Sequence, residues 1–135
     1  MSETPQKPLP VIDNLSRPFW EGANRGELLL QRCRDCGTYT FYPRYACNQC
    51  MSASLEWTRA SGRGTLYSFT ITRVAPPGFR PDAPYVLGSV ELEEGVRVLS
   101  RVVAADPDGV RIGQPVVVTF QEVAEGIKLP YFRPA

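Results

Sequence analysis

The chain contains no histidine, and its only four cysteines stand in two closely spaced pairs among 135 residues. Without histidine, the commonest general base of enzymes is missing. If the cysteines are engaged with a metal, the strongest thiol nucleophile is missing as well. An acid–base site would have to use Asp, Glu, Tyr or Lys, and no such set stands out. We therefore expect a protein that is not itself an enzyme.

A large net charge and a long apolar run are also absent. Lysine and arginine number 15 and aspartate and glutamate 14, so the formal net charge is +1. No global field then attracts nucleic acid or an anionic membrane. No apolar stretch approaches the length that spans a bilayer, and no signal-peptide pattern opens the sequence. Because reduced cysteines belong in a reducing compartment, we predict a cytoplasmic protein with no membrane contact.

The cysteines form two Cys-x-x-Cys motifs, Cys33 with Cys36 and Cys47 with Cys50. Each motif presents two sulfurs from one tight turn, and a hairpin between the motifs can bring the turns face to face. This spacing predicts a tetrahedral four-thiolate site for zinc, with iron as the alternative. Disulfides are disfavoured, because a Cys-x-x-Cys disulfide is strained and nothing marks the chain as secreted. A site closed by four protein ligands is structural rather than catalytic.

The start of the chain combines prolines with a short amphipathic pattern. Residues 1–14 are expected to form a flexible arm. A helix is predicted over residues 15–28, where Pro18 suits the first turn and Phe19 and Trp20 begin an apolar stripe. These two aromatic side chains either cover the chain's own core or bind another chain, and the sequence leaves both interpretations open. We assign Phe19 and Trp20 as candidate partner-binding residues.

The rest of the sequence is typical of a mainly β fold. Thirteen prolines and eleven glycines indicate short strands and many turns. We predict a zinc ribbon over residues 29–54 and a barrel over residues 55–135. About five principal strands describe a small closed Greek-key barrel, of which the five-stranded OB-fold is the common case. An SH3-like barrel or a small sandwich would give a similar pattern.

The sequence predicts two particular strands of the barrel. Residues 55–60 are expected to form its first strand. Residues 65–74 alternate in hydrophobicity as a long strand does, which places Tyr67 and Ile71 on one face and Leu66 on the other.

Binding of single-stranded nucleic acid is the alternative function, because zinc ribbons and OB barrels often serve it. Tyr67 and Phe69 could offer stacking platforms, bordered by Arg63, Arg73 and Arg101. The small net charge makes a strong electrostatic footprint unfavourable, and core packing explains the aromatic residues equally well. We therefore rank this function second.

Several motifs follow one another along the chain in a characteristic order. They are Phe19-Trp20-Glu21, Gly26-Glu27-Leu28, Cys33-x-x-Cys36-Gly37, Tyr42-Pro43-Arg44, Cys47-x-x-Cys50, the segment Ser61 to Thr70, Pro84-Tyr85-Val86 and the segment Arg111 to Val116. This series resembles the zinc-ribbon and OB-fold proteins known as domain-of-unknown-function 35, from about Arg17 to Phe120. The sequence departs from the family pattern at Met51, where glycine is common, and at Tyr42-Pro43, where a double proline is usual.

The resemblance implies an N-terminal helix, a rubredoxin-like zinc ribbon and a C-terminal OB-fold barrel. It also implies a partner: a thiolase-like or lipid-transfer-protein-like enzyme that acts on acyl-CoA, as in sterol side-chain cleavage, archaeal mevalonate synthesis and phloroglucinol acyl transfer. On this basis we expect a non-catalytic accessory subunit in lipid metabolism that helps to form the substrate channel of its partner. The proline-rich loop 75–84, with Phe79 and Arg80, is expected to border the acyl-CoA entrance, although a solvated arginine is the simpler interpretation of Arg80.

Overall fold

The computed structural model describes residues 9–104 and 106–135, and this part of the chain forms one α-helix and eight strands. They are α1 (Arg17–Asn24), β1 (Leu29–Cys33), β2 (Tyr39–Thr40), β3 (Leu55–Arg59), β4 (Arg63–Thr72), β5 (Tyr85–Leu92), β6 (Arg97–Val102), β7 (Pro115–Ala124) and β8 (Ile127–Pro134). Most of the predicted arm, residues 1–8, lies outside the described residues. In the described part, no helix is both long enough and apolar enough to cross a membrane.

Helix α1 is shorter than the predicted span 15–28. The N–H of Gly26 donates to the carbonyl of Ala23 at 3.0 Å, and Gly26 adopts a positive φ of 78°. Such a glycine ends a helix because it turns the chain out of the helical path without steric cost. Leu28 therefore lies beyond the helix, where it is buried as the chain enters β1.

The ribbon sheet has the strand order β2-β1-β3. Strand β3 pairs with β1 along its whole length, from Leu29 opposite Arg59 to Cys33 opposite Leu55. Residues 55–60 therefore complete the ribbon sheet, and the expectation that they form the first barrel strand is wrong. The physical reason is that β2 pairs with only one edge of β1. After Cys50 the chain returns antiparallel to β1 and pairs with the other edge.

The five remaining strands form a closed barrel in the order β4-β5-β6-β8-β7. Pairing of β4 with β7, with Arg63 opposite Val117, closes the ring. Strand β8 runs antiparallel to β7 but parallel to β6, where Val102 lies opposite Phe132. The predicted mainly β fold, with an N-terminal helix, a ribbon and a five-stranded OB-fold barrel, is thereby confirmed.

A single hydrophobic core extends from the barrel into the ribbon and the helix. Phe132 at the barrel centre belongs to the same cluster of buried side chains as Leu30 of β1 and Phe19 of α1. The ribbon and the barrel are therefore packed parts of one unit, so that loss of structure in one removes packing from the other.

A β-bulge in β4 overturns the predicted alternation of its faces. The register with β5 shifts between Leu66 and Ser68. The additional residue leaves Leu66 fully buried and Tyr67 half exposed, while Ile71 packs against the core. The expectation that Tyr67 and Ile71 share one face, opposite Leu66, is wrong because a bulge reverses the alternation of side chains.

Candidate metal centre and apolar groove

The two cysteine turns are built by the same backbone hydrogen bonds. The N–H of Gly37 donates to the carbonyl of Cys33 at 2.9 Å, and the N–H of Met51 donates to the carbonyl of Cys47 at 3.0 Å. Gly37 and Met51 both have positive φ, 77° and 65°. The two turns therefore share one backbone conformation, which is that of a pair of metal-binding knuckles.

The four sulfurs converge between the knuckles. Their Sγ atoms all lie within 4.8 Å of one another. The Cys33–Cys50 and Cys36–Cys47 sulfur pairs are both 3.5 Å apart, and all four cysteines are free. Zinc–sulfur bonds of about 2.3 Å in a tetrahedron place the sulfurs about 3.8 Å apart, so these separations fit a metal site. The alternative of disulfides does not match the structure.

The opposite pKa shifts of two of the cysteines also favour a bound cation. A side-chain hydrogen bond with Thr38, reinforced by its backbone, lowers the pKa of Cys36 to about 6. At Cys50 the backbone N–H of Ser52 acts to lower the pKa, but the neighbouring Cys33 thiol and burial outweigh it and raise that pKa to about 12. Four thiolates at this spacing would repel one another. A bound divalent cation offsets that repulsion and allows all four cysteines to be deprotonated.

The positive φ of Met51 leads to a prediction for stability. Among the described residues, Met51 is the one non-glycine residue in the left-handed region, and its side chain is 77% exposed. Met51→Gly should relieve about 1–2 kcal/mol of backbone strain in the folded state. Glycine also increases the conformational entropy of the unfolded chain, which lowers stability by a somewhat smaller amount. We expect a small net gain in unfolding free energy, measured by denaturant titration of the zinc-loaded protein.

The matched control for this variant is Gln49→Gly, in the same turn but without a positive φ. It should lower the free energy of unfolding, because glycine there adds only unfolded-state entropy. A destabilised Met51→Gly protein would contradict the strain assigned to this residue.

An apolar groove of about 650 Å³ lies beside the ribbon, bounded by α1, the loop after β2 and the outer face of the barrel. We call it the apolar groove and define it by six of its lining residues, Trp20, Phe41, Phe79, Leu87, Leu99 and Tyr131. Its rim includes Val11, Tyr42 and Leu99, which are 86%, 56% and 63% exposed. An apolar surface of this kind is typical of a binding site.

The structure brings together some of the residues predicted from sequence and separates others. Phe19 is only 5% exposed and belongs to the core, with its edge-to-face partner Trp20 at a centroid distance of 5.0 Å. Trp20 is half-buried and lines the groove, as does Phe79 of loop 75–84, whose ring lies 6.3 Å from that of Tyr85. Arg80 is exposed and does not line the groove.

Two side-chain clamps hold the walls of the groove. The Gln31 amide donates to the carbonyl of Arg44 at 2.9 Å and accepts from its N–H at 2.7 Å, which fixes the loop after β2. The Asn24 amide donates to the carbonyl of Gly126 at 2.7 Å and accepts from the N–H of Lys128 at 3.1 Å, which joins α1 to the barrel. Segments that border the groove are thus held by bonds between distant parts of the chain.

Arg101, which the sequence suggests only as a nucleic-acid contact, lines the groove. It lies on β6 with Leu99, on the face opposite the buried Val98 and Val102. The alternation of β6 was the signal that could have placed Leu99 and Arg101 together on an outer surface. Alternation could not reveal that α1 and loop 75–84 cover that surface.

The arginines considered for nucleic acid are engaged with carboxylates. The pairs are Arg63–Glu93 at 3.3 Å, Arg73–Asp108 at 2.8 Å and Arg101–Asp82 at 3.0 Å. Paired guanidinium groups offer little net attraction for a phosphate backbone. This observation adds to the small net charge in disfavouring a nucleic-acid interface.

A four-thiolate ribbon that shares its core with a closed OB barrel defines the class of zinc-ribbon and OB-fold proteins. Models of two ChsH2 domains match the chain in this order: the rubredoxin-like zinc ribbon domain over residues 20–56 and the C-terminal OB-fold domain over residues 57–121. The chain therefore belongs to the ChsH2 family of DUF35 proteins, which confirms the resemblance. Its metal centre is that of a zinc ribbon, as predicted.

Relatives and solved structures agree with this assignment. A "probable enoyl-CoA hydratase alpha subunit" of Thermomonospora curvata is 38% identical over 131 residues, which are 96% of this chain but 40% of that relative. A "DUF35 domain-containing scaffold protein" of Methanocaldococcus jannaschii is 38% identical over 70% of this chain and 67% of its own length. A solved structure titled "Ltp2-ChsH2(DUF35) aldolase" has a TM-score of 0.84 and 34% identity, and the match covers 93% of this chain and 98% of that one.

Proposed function

We propose that this chain is a non-catalytic accessory subunit that binds a thiolase-superfamily enzyme acting on acyl-CoA and helps to form its substrate channel. The observation that carries the proposal is the apolar groove of about 650 Å³ with its exposed apolar rim. A groove of this volume suits an acyl or pantetheine chain. A partner wall over the rim would exclude water from that chain.

The chemistry of the chain supports an accessory role. It has no histidine, and its four cysteines cluster where a metal ion closes them off from substrate. We assign Cys33, Cys36, Cys47 and Cys50 as the zinc ligands, which stabilise the ribbon wall of the groove. Reduced thiolates of this kind also support our prediction of a cytoplasmic location.

The names of related proteins support an acyl-CoA assembly. One relative is named as the alpha subunit of a probable enoyl-CoA hydratase, another as a scaffold protein, and the similar solved structure is titled as an aldolase of Ltp2 and ChsH2. Condensation, acyl transfer and retro-aldol cleavage all handle a thioester whose acyl chain needs a protected path. We assign that path to the groove.

Individual residues take distinct roles in this proposal. Trp20, half-buried on the groove wall, is the aromatic anchor for the partner, while the buried Phe19 holds its ring in place. Phe79 borders the acyl chain. We assign exposed Arg80, which follows Phe79 in loop 75–84 but does not line the groove, to contact with the phosphates of CoA outside the groove.

Trp20→Ala should weaken the complex with the partner by about tenfold or more, because interface energy concentrates in buried aromatic anchors. The measurement is the dissociation constant between the purified chain and the thiolase-superfamily protein with which it co-migrates in size-exclusion chromatography. Trp57→Ala is the matched control, since Trp57 is half-buried against the same core but does not line the groove.

The control separates an interface role from a packing role. Trp57→Ala should lower thermal stability and leave the dissociation constant close to that of the native chain. If Trp20→Ala instead binds like the native chain and only unfolds more easily, Trp20 is ordinary core and the interface assignment is wrong.

A further inference from the structure

The groove reaches a half-buried charge pair through Arg101. Arg101 and Asp82 form a salt bridge at 3.0 Å, and their side chains are only 23% and 24% exposed. A more exposed arginine–carboxylate pair, Arg73–Asp108, is 60% and 69% exposed. Of these two pairs, Arg101–Asp82 is the less solvated. Its net charge therefore has the larger effect on whether a charged ligand can bind beside it.

Aromatic rings enclose the guanidinium group of this pair. The Arg101 Cζ atom lies 4.7 Å from the centroid of the Tyr85 ring and 5.8 Å from that of the Tyr131 ring. Asp82 and the two rings together contact the guanidinium group. An incoming anion would have to displace Asp82 or remain beside an already neutralised pair.

A second, polar cavity adjoins the groove at this pair. It has a volume of about 340 Å³, and Arg101 and Tyr131 line both cavities. Its other polar lining residues are Asp82, Gln121 and Glu122. The Glu122 carboxylate adds to the barrier against an anion. The Gln121 amide and the Tyr131 hydroxyl can form hydrogen bonds with an uncharged polar group.

We propose that Asp82 and Arg101 make the groove selective for an uncharged acyl thioester over the free carboxylate of the same chain. This inference rests on the proposed function but concerns the chain alone. The apolar chain lies along Leu87 and Leu99, and the neutral thioester end reaches the Arg101–Asp82 pair. A carboxylate in the same position loses its hydration and finds a cation that Asp82 already neutralises.

The selectivity would serve an acyl-CoA enzyme directly. Hydrolysis of a thioester releases a free acid with the same apolar chain, and that acid competes for any groove that recognises the chain alone. A neutral, half-buried ion pair at the end of the groove rejects the acid without weakening binding of the thioester.

The test compares two ligands that differ in the end group. Dodecanoyl-N-acetylcysteamine is the neutral thioester and dodecanoate the anion. Binding to the isolated full chain is followed at neutral pH by the change in tryptophan fluorescence, to which Trp20 in the groove contributes. We expect the thioester to bind about tenfold or more tightly than the carboxylate, since an uncompensated buried charge costs at least that much. Equal affinities, or no binding of either ligand, would overturn the inference.

Substitutions at the pair should change the selectivity in opposite directions. Asp82→Asn leaves the Arg101 cation uncompensated and should tighten dodecanoate binding by about tenfold, with little change for the thioester. Arg101→Gln removes the cation of the pair from the end of the groove and should widen the preference for the thioester. Asp108→Asn, which removes the same charge from the exposed Arg73 pair, is the control and should change neither affinity.

An unchanged ligand preference in both Asp82→Asn and Arg101→Gln would also overturn the inference. The experiment needs no partner enzyme, so its failure is separate from failure of the proposed function. A chain that binds the thioester selectively but joins no acyl-CoA enzyme would retain this inference and refute the accessory role.

Discussion

Replacing Cys36 by Ser is expected to release the zinc and unfold the ribbon. The hydroxyl is a far weaker zinc ligand than a thiolate, and three remaining sulfurs leave the tetrahedron incomplete. Structural zinc contributes about 10–16 kcal/mol of apparent binding free energy in zinc-finger peptides, so its loss exceeds what a small ribbon can withstand. The sheet of β1, β2 and β3 should lose its order, and the groove should lose the wall that holds Phe41.

The barrel should survive this substitution in part. Its five strands close on themselves, and Phe132 remains at their centre. Leu30 and Phe19 pack against the same core, so the barrel should nevertheless become less stable. Hydrogen exchange should therefore become fast in β1 and β3 and only moderately faster in β5.

Zinc content and amide exchange together measure the effect. The native chain should carry one zinc ion and the Cys36→Ser chain almost none. Asn48→Ser is the matched control, because Asn48 is an exposed residue of the second knuckle with no sulfur to lose. Native protein without metal, or a Cys36→Ser chain with a fully protected β1, would show that the cluster is not a structural zinc site.

The metal site was predictable because all of its determinants are local. Two pairs of cysteines and the tight turn after each pair are visible in the sequence, and the structure adds only that Met51 adopts the positive φ that Gly37 adopts without strain. The order of the elements was predictable for the same reason. Hydrophobic periodicity and turn residues report on the few residues around them.

The errors arose where pairing between distant residues decides the structure. The sequence of β3 is that of any half-buried strand, and only the open edge of β1 assigns it to the ribbon instead of the barrel. The bulge at Leu66 depends on the register with β5, which a single strand does not reveal. Long-range pairing is the information that local patterns lack.

The groove could not be predicted as a site from the sequence. Trp20 and Phe79 were selected separately, one for a partner and one for the ligand, and the fold brings both to the same groove. Leu99 and Arg101 complete it from the barrel surface. These residues come from separate segments, which the clamps formed by Gln31 and Asn24 and the shared core hold together.

The activity of the partner enzyme is expected to depend strongly on this chain. A groove wall that positions the acyl chain contributes through orientation, and misplacement of a substrate by about 1 Å can cost about a hundredfold in rate. Leu99→Asp places a charge on the groove rim at a side chain that is 63% exposed, so folding should be preserved. Ile112→Asp is the matched control, since Ile112 is 69% exposed and lies outside the groove.

The decisive measurement is acyl-CoA turnover by the partner enzyme alone, by this chain alone, and by the two together. We expect no turnover by the chain alone, weak turnover by the partner alone and an increase of about a hundredfold in the complex. The Leu99→Asp complex should lose most of that increase, while the Ile112→Asp complex should keep it. Turnover by the isolated chain, or a partner enzyme whose rate is the same with and without the chain, would contradict the accessory role.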